Sequence, residues 1–184
     1  MIKINMIYTP IDTKTILMLL WAAGFLLLLI IPNSYSASLE GNVTRIADGD
    51  TITIRDANNQ KQKIRLMGID TPELDQPFGL EARDFLVGLI FSQFIIADCP
   101  KKDRYKRWIC KVWFVDIEVN KLLVREGWAW WYRAYQQEQL PDDRRAYEKA
   151  EVLAKQDRVG VWADDASVPP WEWRRQKRER QKSK

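Results

Sequence analysis

The chain has 184 residues, 29 Lys and Arg against 25 Asp and Glu, and a formal charge of +4, enough for one domain with a real core plus terminal appendages. It has no histidine and only two cysteines, which excludes histidine-dependent zinc sites, Ser-His triads, histidine bases and a four-thiolate zinc centre. Hydrolytic chemistry would have to run on carboxylates, arginines, lysines or tyrosines, with an oxygen-liganded metal such as calcium or magnesium.

At the N-terminus, Lys3 and Lys14 precede an uncharged apolar run, Ile16–Ile31. Pro32 and the small-residue segment Ser34–Ser38 follow. This is the pattern of a secretory signal peptide, with cleavage after Ser36 the best fit and after Ala37 the next. The apolar run is shorter than the ~20 residues of a comfortable membrane span. An uncleaved anchor is the alternative, and only then is membrane contact expected. Either way the rest of the chain is expected outside the cytoplasm, secreted or periplasmic.

Mature residues open with the alternating strand Gly41–Ala47. Asp48-Gly49-Asp50 reads as a tight turn, and Thr51–Arg55 as a second strand rich in β-branched residues. Asp56–Asn59 is a hairpin turn by composition. Gln60–Gly68 is the third strand. It leads into Ile69-Asp70-Thr71-Pro72-Glu73, where Pro72 disfavours a helical conformation at Thr71. The periodicity predicts a helix over Gly79–Phe91 and strands over Phe94–Cys99 and Trp108–Val115. It predicts a short helix over Asn120–Glu126 and a charged helix over Asp142–Gln156. Trp128–Tyr135 is an aromatic-rich segment. Five short strands with inserted helices predict an α+β domain built on a small, partly open barrel of the oligonucleotide-binding (OB) type. The expected organisation is a leader over 1–36, the barrel domain over 37–166, and a Pro/Trp segment with a basic tail over 167–184.

Most of the basicity lies in that tail: Arg174–Lys184 carries seven Lys or Arg against Glu179. Such a tail reads as disordered and solvated. The preceding Trp residues are expected to pack onto the barrel as apolar area. Cys99 and Cys110 lie on the two arms of a strand hairpin. In an exported chain they favour a disulfide, with two free thiols as the alternative.

Arg65, Asp70 and Glu73 fall within nine residues. Asp50 comes from the preceding turn and Arg107 from the polar connector before the fifth strand. Cleaving a phosphodiester needs carboxylate and carbonyl oxygens for a hard cation and a carboxylate to orient or deprotonate water. It also needs guanidiniums to hold phosphate oxygens as charge builds. These residues make up that set. Asp48 reads as a turn residue, and Glu81 as a helix or loop anchor.

The order Asp48-Gly49-Asp50-Thr51, Arg65-Leu-Met-Gly-Ile-Asp70-Thr71-Pro72-Glu73, Gly79-x-Glu81-Ala82 and Asp103-x-Tyr105-x-Arg107 resembles the staphylococcal (micrococcal) nuclease, or thermonuclease-like, family. The likeness runs on through Val119-Asn120, Leu123-Val124-x-x-Gly127-x-Ala129 and Gly160-x-Trp162, and the Pro169–Arg175 segment is similar to the C-terminal segment of exported bacterial members. The resemblance implies a five-stranded OB-type barrel with three helices. It implies Asp50, Asp70 and the Thr71 carbonyl as calcium ligands, Glu73 as the water-activating carboxylate, and Arg65 and Arg107 as the phosphate clamp. Arg104, Tyr105 and Tyr135 match nucleic-acid contacts, with Tyr132 an equal candidate for the last. The implied reaction is calcium-dependent hydrolysis of DNA and RNA that leaves 3′-phosphate ends, by a monomer needing no stable protein partner. A non-catalytic OB module that binds nucleic acid is the alternative. The chain departs from the pattern at Lys106, where the family usually has a glycine able to take a positive φ.

Overall fold

The computed structural model describes residues 37–183. The expected leader over 1–36 therefore lies outside the described residues. Strands β1 (Ala37–Ile46), β2 (Thr51–Arg55) and β3 (Lys61–Leu66) form an antiparallel meander. Strand β4 is the two-residue Ile69–Asp70, followed by helix α1 (Gly79–Ile90). Strands β5 (Phe94–Lys102) and β6 (Trp108–Phe114) form a hairpin, and β5 pairs with β1. Next come β7 (Ile117–Glu118), α2 (Val119–Arg125), β8 (Trp130–Trp131) and α3 (Pro141–Gln156).

The meander and hairpin follow from alternation and turn chemistry. The ring closes differently, by a parallel pairing of β3 with β6 that sets Ile64 opposite Trp108, Arg65 opposite Ile109 and Leu66 opposite Cys110. Five strands thus make a closed, mixed barrel with helices around it: the OB-type α+β class is as the sequence predicts, while the closure goes beyond the partly open barrel expected. Closure also brings Arg65 and Arg107 to one rim, although they lie 42 positions apart in the chain. The interior holds Ile52, Ile54, Ile64, Leu66, Ile95 and Val112, all essentially inaccessible to solvent. Each such side chain stabilises the fold by ~1.5–3 kcal/mol relative to exposure.

Buried Asn120 ties α2 to the barrel. Its Oδ1 accepts from Val112 N–H at 3.0 Å, and its Nδ2 donates to the Met67 and Cys110 carbonyls, each at 3.0 Å. No polar capacity of this side chain facing the core is wasted, and the end of β3 is fixed where the candidate site begins. Cys99 and Cys110 are joined by a disulfide across the β5–β6 hairpin, with Cα atoms 4.2 Å apart. No helix among the described residues is long and apolar enough to cross a membrane.

The basic end departs from expectation. It is not disordered but a fourth helix, α4 (Pro170–Lys182), beyond the three that the resemblance implies, although its residues from Arg175 onward are solvent-exposed as expected. Pro170 stands at its first turn, where the missing N–H costs nothing. Trp171, Arg174 and Arg178 follow at helical spacing and share a face. Trp171 stacks on Tyr132 with ring centroids 5.3 Å apart, so the Trp segment packs as expected.

Candidate active site

The two acidic turns meet at the mouth of the barrel. Asp48 Oδ1 accepts from Asp50 N–H at 3.1 Å, an Asx turn that confirms its structural part. Gly49 allows the close approach of the second turn: a Cβ there would lie 2.8 Å from Thr71 Oγ1. Asp50 Oδ2 accepts from the Thr71 backbone N–H at 3.1 Å and from its hydroxyl at 2.9 Å. Arg65 spans both turns, with Nη1 2.7 Å from Asp50 Oδ2 and Nη2 2.9 Å from Asp70 Oδ1.

Glu73 is set by a tight loop before α1. The Gln76 N–H donates to the Glu73 carbonyl at 2.8 Å, and Gln76 Oε1 accepts from Glu73 N–H at 3.2 Å. Gly79 is needed here, because a Cβ at that position would sit 1.9 Å from the Glu73 carbonyl oxygen. Glu81, by contrast, is an exposed residue in the first turn of α1 and anchors no loop.

The other wall is the β5–β6 hairpin. Asp103 organises it: Oδ1 accepts from the N–H groups of Tyr105 at 2.8 Å and Arg107 at 2.9 Å, and Oδ2 from Arg107 Nε at 2.7 Å. Burial pushes the Asp103 carboxyl up, but the bonds and charge of Arg107 outweigh it and hold it below its ordinary value. Lys106 takes the left-handed conformation at φ 64°, so the turn forms at the expense of strain. Lys106→Gly is therefore expected to stabilise the fold. A residue with a Cβ loses ~1–2 kcal/mol in this region, partly offset by the greater freedom of glycine when unfolded. A rise of ~0.5–1 kcal/mol in the urea unfolding free energy is the expected reading.

Asp50, Arg65, Asp70, Thr71, Glu73, Arg104, Tyr105, Arg107 and Tyr135 all line one cleft of about 800 Å³. Tyr132 lines it too, but Trp171 covers one of its faces, whereas Tyr135 is 54% exposed. The segment bearing both is pinned to α3 by buried Glu151, which accepts from Trp131 N–H at 3.1 Å and from Arg133 and Lys155, each at 2.9 Å.

Three residues that shape the site are not evident from the sequence. Asp103 was part of a motif but had no assigned job. Gln76 carries no charge to draw the eye. Arg174 was read as tail, yet its Nη2 lies 2.6 Å from Asp70 Oδ2 and its Nη1 2.7 Å from Glu73 Oε1. Its signal in the sequence was the spacing with Trp171 after the two prolines.

Burial and neighbouring charge act together on the carboxylates at the barrel mouth. Burial is the main force raising Asp70 above its ordinary value, against the opposing pull of Arg174 and Arg65. Asp48 is pushed up to about 6, first by burial and then by the charge of Asp50. Among the described residues, no group of three or more His, Cys, Asp or Glu side chains gathers to hold a metal. The residues that would hold one are fewer: the carboxylates of Asp50 and Asp70 with the main-chain carbonyl of Thr71. All are hard oxygens, matching calcium or magnesium rather than a softer ion. Six Asp and Glu line the cleft against seven Lys and Arg, with Asp48, Asp50, Asp70 and Glu73 gathered at the barrel mouth and Lys101, Lys102, Arg104 and Arg107 on the hairpin wall.

A closed OB-type barrel with carboxylates and arginines converging at its mouth defines a class of enzyme built for phosphodiesters. The family model for staphylococcal nuclease homologues matches residues 63–164. The chain is 36% identical over 172 residues to a micrococcal nuclease of Shigella flexneri, covering 88% of this chain and 95% of that protein. It is 37% identical over 172 residues to Protein ParB of Escherichia coli, with coverage of 88% and 94%. It is 34% identical over 155 residues to an uncharacterized endonuclease of Haemophilus influenzae, covering 83% and 84%. The chain belongs to the staphylococcal nuclease homologue family.

Proposed function

We propose that this nuclease is an exported, calcium-dependent enzyme that hydrolyses DNA and RNA with little base preference and leaves 3′-phosphate ends. The observation that carries the reading is the convergence of Asp50, Asp70, Glu73, Arg65 and Arg107 on one cleft from four separate chain segments. A module that only bound nucleic acid would not need a buried carboxylate pair beside a half-exposed third carboxylate. Asp50, Asp70 and the Thr71 carbonyl would hold calcium, which when bound supplies charge neutralisation at the scissile phosphate. Glu73 orients and deprotonates the attacking water. Arg65 and Arg107 hold the phosphate oxygens and stabilise the charge that builds at the five-coordinate phosphorus. Arg104, Tyr105 and Tyr135 contact the strand to either side, Tyr135 by offering a free ring face. The disulfide is consistent with an oxidising compartment, secreted or periplasmic.

The test is digestion of single- and double-stranded DNA and RNA with calcium and with a chelator, followed by end-group analysis. Cleavage of both polymers is expected, falling at least ~100-fold when calcium is removed, because the neutralising charge is lost. Undiminished cleavage in chelator would overturn the calcium assignment, and 5′-phosphate products would overturn the assigned direction of cleavage.

A further inference from the structure

The loop fixes the backbone of Glu73, but its carboxylate has few partners of its own. Its side chain is 39% exposed. Among the described residues, the only hydrogen-bond partner of its carboxylate is Arg174. Arg174 Nη1 reaches Glu73 Oε1 at 2.7 Å and Asp70 Oδ1 at 3.3 Å, while Nη2 reaches Asp70 Oδ2 at 2.6 Å. Asp70 is 2% exposed and is held from its other side by Arg65. One rigid guanidinium plane therefore ties a partly exposed carboxylate to a buried one. A lysine could not do this, being a point charge without a fork.

The arginine is itself braced over the loop that carries Glu73. Gln76, within that loop, donates through Nε2 to the Val168 carbonyl at 2.6 Å, just ahead of α4. Lys177 Nζ lies 2.5 Å from Asp75 Oδ2, and Trp171 stacks on Tyr132. Helix α4 is thus bonded to residues on either side of the candidate base. Arg174 lies ten positions beyond the last residue matched by the family model, and none of the catalytic motifs includes it.

We propose that Arg174 is a positioning residue for the reaction: it fixes Glu73 against Asp70 through Oε1 and leaves Oε2 free to take the proton of the attacking water. The proposal rests on the reading of Glu73 as the base. Catalytic groups lose most of their advantage when displaced by about 1 Å, a misplacement that can lower rate ~10²-fold. The opposite role, a lock that must leave before the carboxylates can work, predicts effects of opposite sign.

The experiment compares full-length wild type with Arg174→Gln, Arg174→Lys, Glu73→Gln and the double variant Glu73→Gln/Arg174→Gln. It reads kcat and KM on a labelled oligonucleotide, calcium affinity by calorimetry, and Tm. Arg174→Gln is expected to lower kcat ~10- to 100-fold with KM changed less than ~3-fold, as for lost alignment rather than lost binding. Calcium should bind no more weakly, since a competing positive charge beside Asp70 has gone. Arg174→Lys should recover only part of the rate. In the Glu73→Gln background, Arg174→Gln should cost almost nothing further, because the two residues act as one unit. A rise in kcat would identify a lock and overturn the proposal. Weaker calcium binding with a matching fall in Tm would reduce Arg174 to scaffold and overturn it too. Full additivity over an impaired Glu73→Gln would overturn the proposal alone, whereas wild-type kcat in Glu73→Gln would overturn the reading of Glu73 and the proposal with it.

Discussion

Glu73→Gln is expected to lower kcat for phosphodiester hydrolysis ~10²- to 10⁴-fold, the usual range for loss of a general base. The fold should survive. The backbone of Glu73 is fixed by Gln76 and by the close approach of Gly79, neither of which involves the carboxylate. The ion pair to Arg174 is partly solvated, with side chains 35% and 39% exposed, and such pairs stabilise a fold by only ~0–1 kcal/mol. Tm should therefore move by no more than a few degrees. Glutamine keeps an oxygen that can accept from Arg174, so the side chain can occupy the same place while losing its basicity. With no histidine in the chain, no imidazole can take over the proton. Rates on a labelled oligonucleotide, paired with a thermal melt, give both halves of the result. A stable variant that cleaved at the wild-type rate would show that Glu73 is not the base.

How far the sequence anticipated this site depends on what kind of signal each part leaves. The β1–β3 meander and the β5–β6 hairpin were legible because alternation has a period of two and turns have their own chemistry. The parallel closure of β3 on β6 was not. Nothing local to Ile64 or Trp108 says that they will pair, because the register is decided by how a twisted five-stranded sheet meets itself. The carboxylates and the arginines proposed as the clamp were legible as residue types that phosphodiester chemistry calls for, in an order that resembles a family. Residues that only support others were not. Asp103 shapes a turn through main-chain N–H groups, and Gln76 bridges two loops with an uncharged amide. Arg174 was hidden by its company. Six other basic residues surround it in the last eleven, and a dense charge run ordinarily signals solvation. What separates Arg174 from its neighbours is tertiary: one turn after Trp171 docks on Tyr132, its guanidinium reaches the buried Asp70.

Arg107→Gln is expected to reduce kcat/KM ~10²- to 10³-fold, the range seen when one preorganised transition-state donor is removed. Three of the arginines lining the cleft, Arg65, Arg107 and Arg174, differ in how they are engaged. Arg65 and Arg174 have both terminal nitrogens committed to carboxylates. Arg107 uses only Nε, toward Asp103 Oδ2, and neither terminal nitrogen has a hydrogen-bond partner among the described residues. It is thus aimed but unspent, with a fork matched to two phosphate oxygens. Its guanidinium also lies over the Tyr105 ring, 5.6 Å from the centroid, which limits its swing. Two further variants separate charge from aim. Arg107→Lys keeps the charge but loses the fork, and should remain impaired by at least ~10-fold. Asp103→Asn keeps Oδ1 as acceptor for the turn but loses the anionic partner of Nε. It should fall between wild type and Arg107→Gln while leaving the hairpin folded. In the Arg107→Gln background, Asp103→Asn should then have little left to remove, since aiming matters only when there is a guanidinium to aim. Steady-state kinetics on the four proteins settle the order. An Arg107→Gln variant cleaving within ~3-fold of wild type would leave the phosphate to Arg65 alone, an outcome at odds with the single donor's usual worth.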